Sequence, residues 1–146
     1  MVSDINNIVR IFICTMTMWL WGGFVYYCVE LTYRGYSHPS MFAVGGICFL
    51  LLGRINIFLP WSMGLVWQAL IGAGIITTVE FFAGLIINIW LGLGVWDYSD
   101  LPLNLFGQIS LLYSLYWFPL AAVGIWLWDF LRWKLYGEQQ PQYSLF

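Results

Sequence analysis

Apolar residues run along this chain in four long blocks, about residues 8–29, 40–58, 61–93 and 105–133. Short stretches where polar residues, glycine or proline gather lie between them. Each block approaches or exceeds the roughly 20 residues that a helix needs to cross a bilayer. The pattern therefore predicts an all-α, polytopic membrane protein: a four-transmembrane-helix bundle with a long third helix, forming one domain over residues 1–146. The third helix is read as one tilted element, as one broken near Gly92 and Gly94, or as two short helices turning at Gly72-Ala73-Gly74. The polar tail after Leu135 reads as mobile.

Spacing inside the blocks separates packed faces from lipid-facing ones. Thr15, Trp19, Gly22, Tyr26 and Glu30 recur on one face of the first. Gly45, Gly46 and Gly53 in the second permit close helix approach. In the third, Ala69, Ala73, Thr77, Glu80, Gly84 and Asn88 share a small and polar face, opposite Ile71, Ile75, Val79, Phe82, Ile86 and Ile89. The fourth carries Gly107, Ser110, Ser114, Trp117, Ala121, Gly124 and Trp128 at alternating steps of three and four.

Composition agrees with the pattern. Hydrophobic residues make up 62% of the chain and charged residues 8%, against about 25% in an ordinary soluble domain, so an integral membrane protein is expected. A net charge of −2 with no basic cluster argues against nucleic acid as a partner. Cys14, Cys28 and Cys48 are scattered through apolar segments without metal-ligand spacing, and His38 is the single histidine, so neither a metal site nor a cofactor is expected. The apolar run from Ile8 to Val29 lacks a basic start and a small-residue cleavage site, and reads as a retained span rather than a signal peptide. Four spans place Arg10, Arg54, Arg132 and Lys134 on one side and Arg34 on the other. The positive-inside rule then puts both termini in the cytoplasm of a cell whose inner (plasma) membrane holds the protein.

The candidate chemistry centres on Glu80, since a charge at the middle of a membrane helix costs at least ~2.5 kcal/mol. Either it binds a cation, a substrate amine or a proton, or it is a structural carboxylate bonded to a neighbouring helix. On the outward side, Glu30, Arg34 and His38 come from the first connection, and Asp97, Ser99 and Asn104 from the second. With Thr77 and Glu80 they form the candidate ligand-binding set, in an outward-opening pocket inferred from topology alone. Each has a plainer reading. Glu30 and Arg34 are four apart and suit a local ion pair. His38 suits a helix cap as well as acid–base work. Trp96-Asp97-Tyr98-Ser99 suits a turn fixed by its own aspartate. No catalytic set is assigned.

The motifs Glu30 with Arg34, His38-Pro39-Ser40, Gly45, Thr77-Thr78-Val79-Glu80, Trp96-Asp97-Tyr98-Ser99, Pro102, Asn104 and Gly107 resemble, in order, those of the small bacterial membrane proteins grouped as the ABC-transporter type IV, or CmpB-like, family. The resemblance covers about residues 20–118 and implies a transport-related, permease-like component. No P-loop sequence is present to bind nucleotide. Two other readings stand beside it. One is an outer-leaflet lipid-headgroup binder or membrane enzyme using His38, Glu80 and Asp97. The other is a structural or regulatory membrane subunit. Four helices are few for a complete transporter, so beyond the lipid bilayer the expected partner is a second copy of the chain or another membrane subunit.

Overall fold

The structure is a computed structural model describing the backbone of residues 2–60 and 62–145, and side chains from residue 5 onward within that range. Among the described residues, four helices are long and apolar enough to cross a membrane: Ile5–Arg34, Pro39–Phe58, Leu65–Trp90 and Leu111–Tyr136. The chain is an all-α membrane protein with one small two-stranded sheet. The elements are α1 (Val2–Arg34), α2 (Pro39–Leu52), α3 (Ile55–Phe58), α4 (Leu65–Gly84), β1 (Asn104–Leu105), β2 (Ile109–Ser110) and α5 (Leu111–Tyr136). They fall into two compact units, residues 1–50 and 51–146.

In the first unit the predicted stripe of α1 packs on α2, and glycine makes the approach close. A Cβ built at Gly22 would lie 2.2 Å from Phe49, and one at Gly45 would lie 2.5 Å from Tyr26. Trp19 meets Phe42 edge to face, with centroids 5.4 Å apart. Missing side chains here are what bring the two backbones together.

In the second unit α4 packs against α5. Ala69, Gly72, Ala73, Ile76, Glu80 and Gly84 are buried on α4, and Trp117, Ala121, Ile125 and Trp128 on α5. The buried face is thus rotated slightly from the predicted one: Gly72 and Ile76 join it, and Thr77 is half-buried. The helix passes unbroken through Gly72-Ala73-Gly74 and continues as a π-helical extension, Leu85–Trp90. It stops where Gly92 and Gly94 adopt positive φ, +65° and +56°. The expected start at Trp61 lies outside the described residues.

Two expectations near the end of the chain are corrected. The last span begins at Leu111, not near residue 105, because Leu103, Phe106 and Gly107 take left-handed backbone conformations that no helix accommodates. Asn104–Leu105 instead pairs antiparallel with Ile109–Ser110, and the extended Ser110 caps α5 by accepting the Tyr113 N–H. The second correction concerns the tail, which is docked. Gly137 closes α5 in a left-handed cap, and the chain then turns back. The carbonyls of Ser144 and Leu145 accept the N–H groups of Leu65 and Val66, at 2.9 and 3.2 Å. These are among the donors that the first turn of any helix leaves unserved. Tyr143 completes the strap by donating to Asp129, which also accepts from Asn56 at 2.8 Å. Burial first, and then the Asp129 carboxylate, push the Tyr143 hydroxyl far above its ordinary range, so it remains a donor. Tyr143→Phe is expected to cost about 1–3 kcal/mol. The loss should be visible in the unfolding midpoint below about pH 10 and shrink above it, where alkali ionises the tyrosine of the unfolded chain while the folded one keeps its proton. A variant matching the native midpoint at neutral pH would show that the strap is not held by this bond.

Candidate functional site

Glu80 lies twelve positions before Gly92, the first of the two glycines that end its helix, on the α5-facing side, and is 5% exposed. Each carboxylate oxygen accepts a hydrogen bond from a different element. The Tyr98 hydroxyl, from the connection to α5, donates to Oε1 at 3.0 Å, and the Trp117 indole Nε1, from α5, donates to Oε2 at 2.8 Å. Tyr98 is held in turn. Its ring stacks on Tyr113 with centroids 4.3 Å apart, and its backbone N–H donates to the Gly107 carbonyl at 2.8 Å. The centre therefore joins α4, the connection and α5 through one side chain.

Around it, side chains close the connection on itself. Asn88 accepts the Val95 N–H at 2.7 Å and donates to Gln108 Oε1 at 2.8 Å. Trp96 donates to the Gln108 carbonyl at 2.9 Å. Asp97 accepts both the N–H and the hydroxyl of Ser99, at 2.9 and 2.5 Å. The Ser99 hydroxyl and N–H hold the Asp97 carboxyl below the usual aspartate range, so it stays ionised. Asn104 donates to the carbonyls of Leu101 (2.7 Å) and Ser99 (3.2 Å) and accepts the Gly107 N–H at 3.1 Å. Gly107 has φ +68°, and a Cβ there would lie 2.5 Å from the Ser99 hydroxyl and 2.6 Å from Asp97. Glycine is required at this point on both counts.

The structure thus gathers Asp97, Ser99 and Asn104 into one exposed loop network and links that loop to Glu80 through Tyr98, not through an acid. Thr77 sits one turn before Glu80, half-buried. In the first unit, buried Glu30 accepts from Arg34 at 3.2 Å and from the Ser37 hydroxyl at 2.5 Å, and the Arg34 guanidinium lies 4.8 Å from the centre of the Tyr36 ring. His38 precedes α2. Its Nδ1 accepts the Ser40 N–H at 3.2 Å and stands 2.7 Å from the Ser40 hydroxyl, which is a helix-capping arrangement. Among the described residues, no group of three His, Cys, Asp or Glu side chains is placed to hold a metal ion.

Sequence reasoning passed over Tyr98 and Trp117 as partners of Glu80, although both stood in marked stretches. Tyr98 is the centre of Trp96-Asp97-Tyr98-Ser99, and Trp117 lies on the packing stripe of the fourth block. An indole and a phenol both carry a donor that needs a buried acceptor, and within the apolar blocks acidic side chains are scarce. That scarcity was the available signal.

No curated protein and no solved structure matches this chain. The family described as "Putative ABC-transporter type IV" matches residues 9–143, and the chain belongs to that family of transport-related membrane proteins.

Proposed function

We propose that this chain is a permease-like component of a transport system, seated in the inner membrane with cytoplasmic termini, in which Glu80 handles a proton or a small cationic solute. The observation that carries this reading is the pairing of the Glu80 oxygens with Tyr98 and Trp117. An indole N–H can only donate, whereas a phenol hydroxyl both donates and accepts. An ionised Glu80 accepts from both. A protonated Glu80 still accepts from Trp117 and donates its proton to the Tyr98 oxygen. The acid keeps both partners in either state, so the cost of changing charge inside a bilayer is reduced. Tyr98 belongs to the connection, and its movement away from Oε1 would open that oxygen to a ligand from the loop side. A second copy of the chain or a partner subunit would complete the pathway.

The test is infrared difference spectroscopy on the purified protein in lipid. A carboxyl C=O band that appears and disappears with pH in the native chain, and is missing from a folded Glu80→Gln variant, is the expected result. Cells carrying that variant should lose the associated proton or solute flux. The same pair of bonds serves a second reading, a structural or regulatory subunit in which Glu80 only ties three elements together. In that case no band of Glu80 titrates while the protein stays folded, and the proposal fails.

A further inference from the structure

The connection between the third span and α5 does not stand clear of the helices that it joins. Three contacts fix its depth. The Tyr98 hydroxyl is 3.0 Å from Glu80, a Cβ on Gly84 would lie 2.5 Å from the Gln108 side-chain oxygen, and the Phe106 ring is 6.4 Å from that of Phe81. Counted back from Trp90 at 1.5 Å per residue, these levels lie about 9–15 Å down the span. The span itself, at 26 residues, is about 39 Å long against a hydrocarbon core of roughly 30 Å. Its overhang at each end is thus only about 5 Å, and the loop reaches past it.

Irregular backbone at such depth must satisfy its own polar groups, because lipid offers no partner. This loop does so largely within itself. Backbone bonds run from Leu93 to Ile87, Tyr98 to Gly107, Leu101 to Tyr98, Gln108 to Leu105 and Leu111 to Leu103. Side chains of Asn88, Asp97 and Asn104 serve Val95, Ser99, Leu101 and Gly107. Leu103 and Phe106, on either side of β1, are held at φ +53°, which apolar residues rarely adopt, and are 76% and 71% exposed. Leu105 between them is also exposed, and so are Asp97 and Asp100.

We propose that residues 91–110 form a re-entrant hairpin that enters the leaflet on its own side of the membrane, with Leu103, Leu105 and Phe106 against acyl chains and Asp97 and Asp100 at the headgroup boundary. The hairpin anchors in lipid the segment that carries Tyr98 to Glu80, so its depth and the position of Tyr98 are coupled.

The test uses the full chain in phosphatidylcholine proteoliposomes. Leu103→Cys, Phe106→Cys and Asp100→Cys are made one at a time with Cys14, Cys28 and Cys48 replaced by alanine, and each carries a nitroxide. Collisions with oxygen should exceed those with a water-soluble nickel chelate several-fold at positions 103 and 106, and the order should reverse at 100. Chelate access at 103 and 106 equal to that at 100, or shielding of both from oxygen and chelate alike, overturns the proposal. The first result means a loop in water, and the second a loop covered by protein. Should the variants not fold, the native chain is photolysed with phosphatidylcholine bearing a diazirine on its acyl chain. Adducts within residues 103–106 support insertion, and adducts confined to the helical spans refute it.

Discussion

Glu80→Ala is expected to destabilise the protein by about 2–6 kcal/mol, because two buried donors lose their acceptor at once and each orphaned group costs about 1–3 kcal/mol. The Tyr98 hydroxyl and Trp117 N–H both point at this carboxylate inside the bundle, where the low dielectric raises the cost of an unmade bond. An opposing effect exists. Removing a charge from a membrane interior recovers part of its desolvation cost, and well-packed apolar replacements of buried ions are sometimes neutral. That recovery does not cancel the loss here, since the donors remain and alanine also leaves a void. Glu80→Gln keeps one acceptor oxygen and turns an N–H group toward the other donor, so its loss should be about half as large. Tyr98→Phe and Trp117→Phe each remove a donor but leave the acid with its other partner. Denaturant midpoints in a fixed detergent give the order. The coupling between Glu80→Ala and Trp117→Phe in a double-mutant cycle isolates the bond itself. An alanine variant as stable as the native chain would mean that the carboxylate ties nothing together.

Gly53→Ala should be damaging out of proportion to one methyl group. A Cβ at this position would lie 1.8, 2.1 and 2.4 Å from three atoms of the Trp128 indole. That ring is only 5% exposed, and the Arg132 guanidinium lies 5.7 Å from its centre. An indole cannot bend out of the way as the end of a flexible side chain does, so the turn between α2 and α3 must shift from α5. Overpacking of this kind costs about 1–3 kcal/mol, and the overlap here argues for the upper end. Gly74→Ala is the matched control. Nothing lies within 4 Å of its Cβ, it is exposed on α4, and replacing a mid-helix glycine gains up to ~1 kcal/mol. The two alanine variants should therefore move the unfolding midpoint in opposite directions. A Gly53→Ala protein no less stable than Gly74→Ala would show that Trp128 does not rest on that turn.

Much of this arrangement was legible before any coordinates. The apolar blocks marked the spans, and the stripe through Ala69, Ala73, Glu80 and Gly84 marked the face of the third span that meets α5. The glycines of the first unit announced its close packing. Expectation failed around residue 105, where Leu105, Phe106 and the stripe from Gly107 onward read as helix. Periodicity records which side chains share a face, not whether Phe106 has crossed into left-handed backbone. The tail failed for a related reason. Its polar residues suggest solvent, but besides the Tyr143 hydroxyl and the Glu138 carboxylate the groups that hold it are main-chain carbonyls, which every sequence has and none displays.

By itself, the sequence determined that the chain enters the membrane, where it crosses, and that one acid must be accommodated within the third crossing. Those properties follow from the free energy of moving side chains out of water, which is local and nearly additive along the chain. Which groups meet that acid was decided only by tertiary structure, as were the return of the connection along its own helix and the docking of the tail on Leu65 and Val66. Those outcomes depend on hydrogen bonds between groups far apart in sequence. Their directions are set by a few backbone angles, which the order of residues does not reveal.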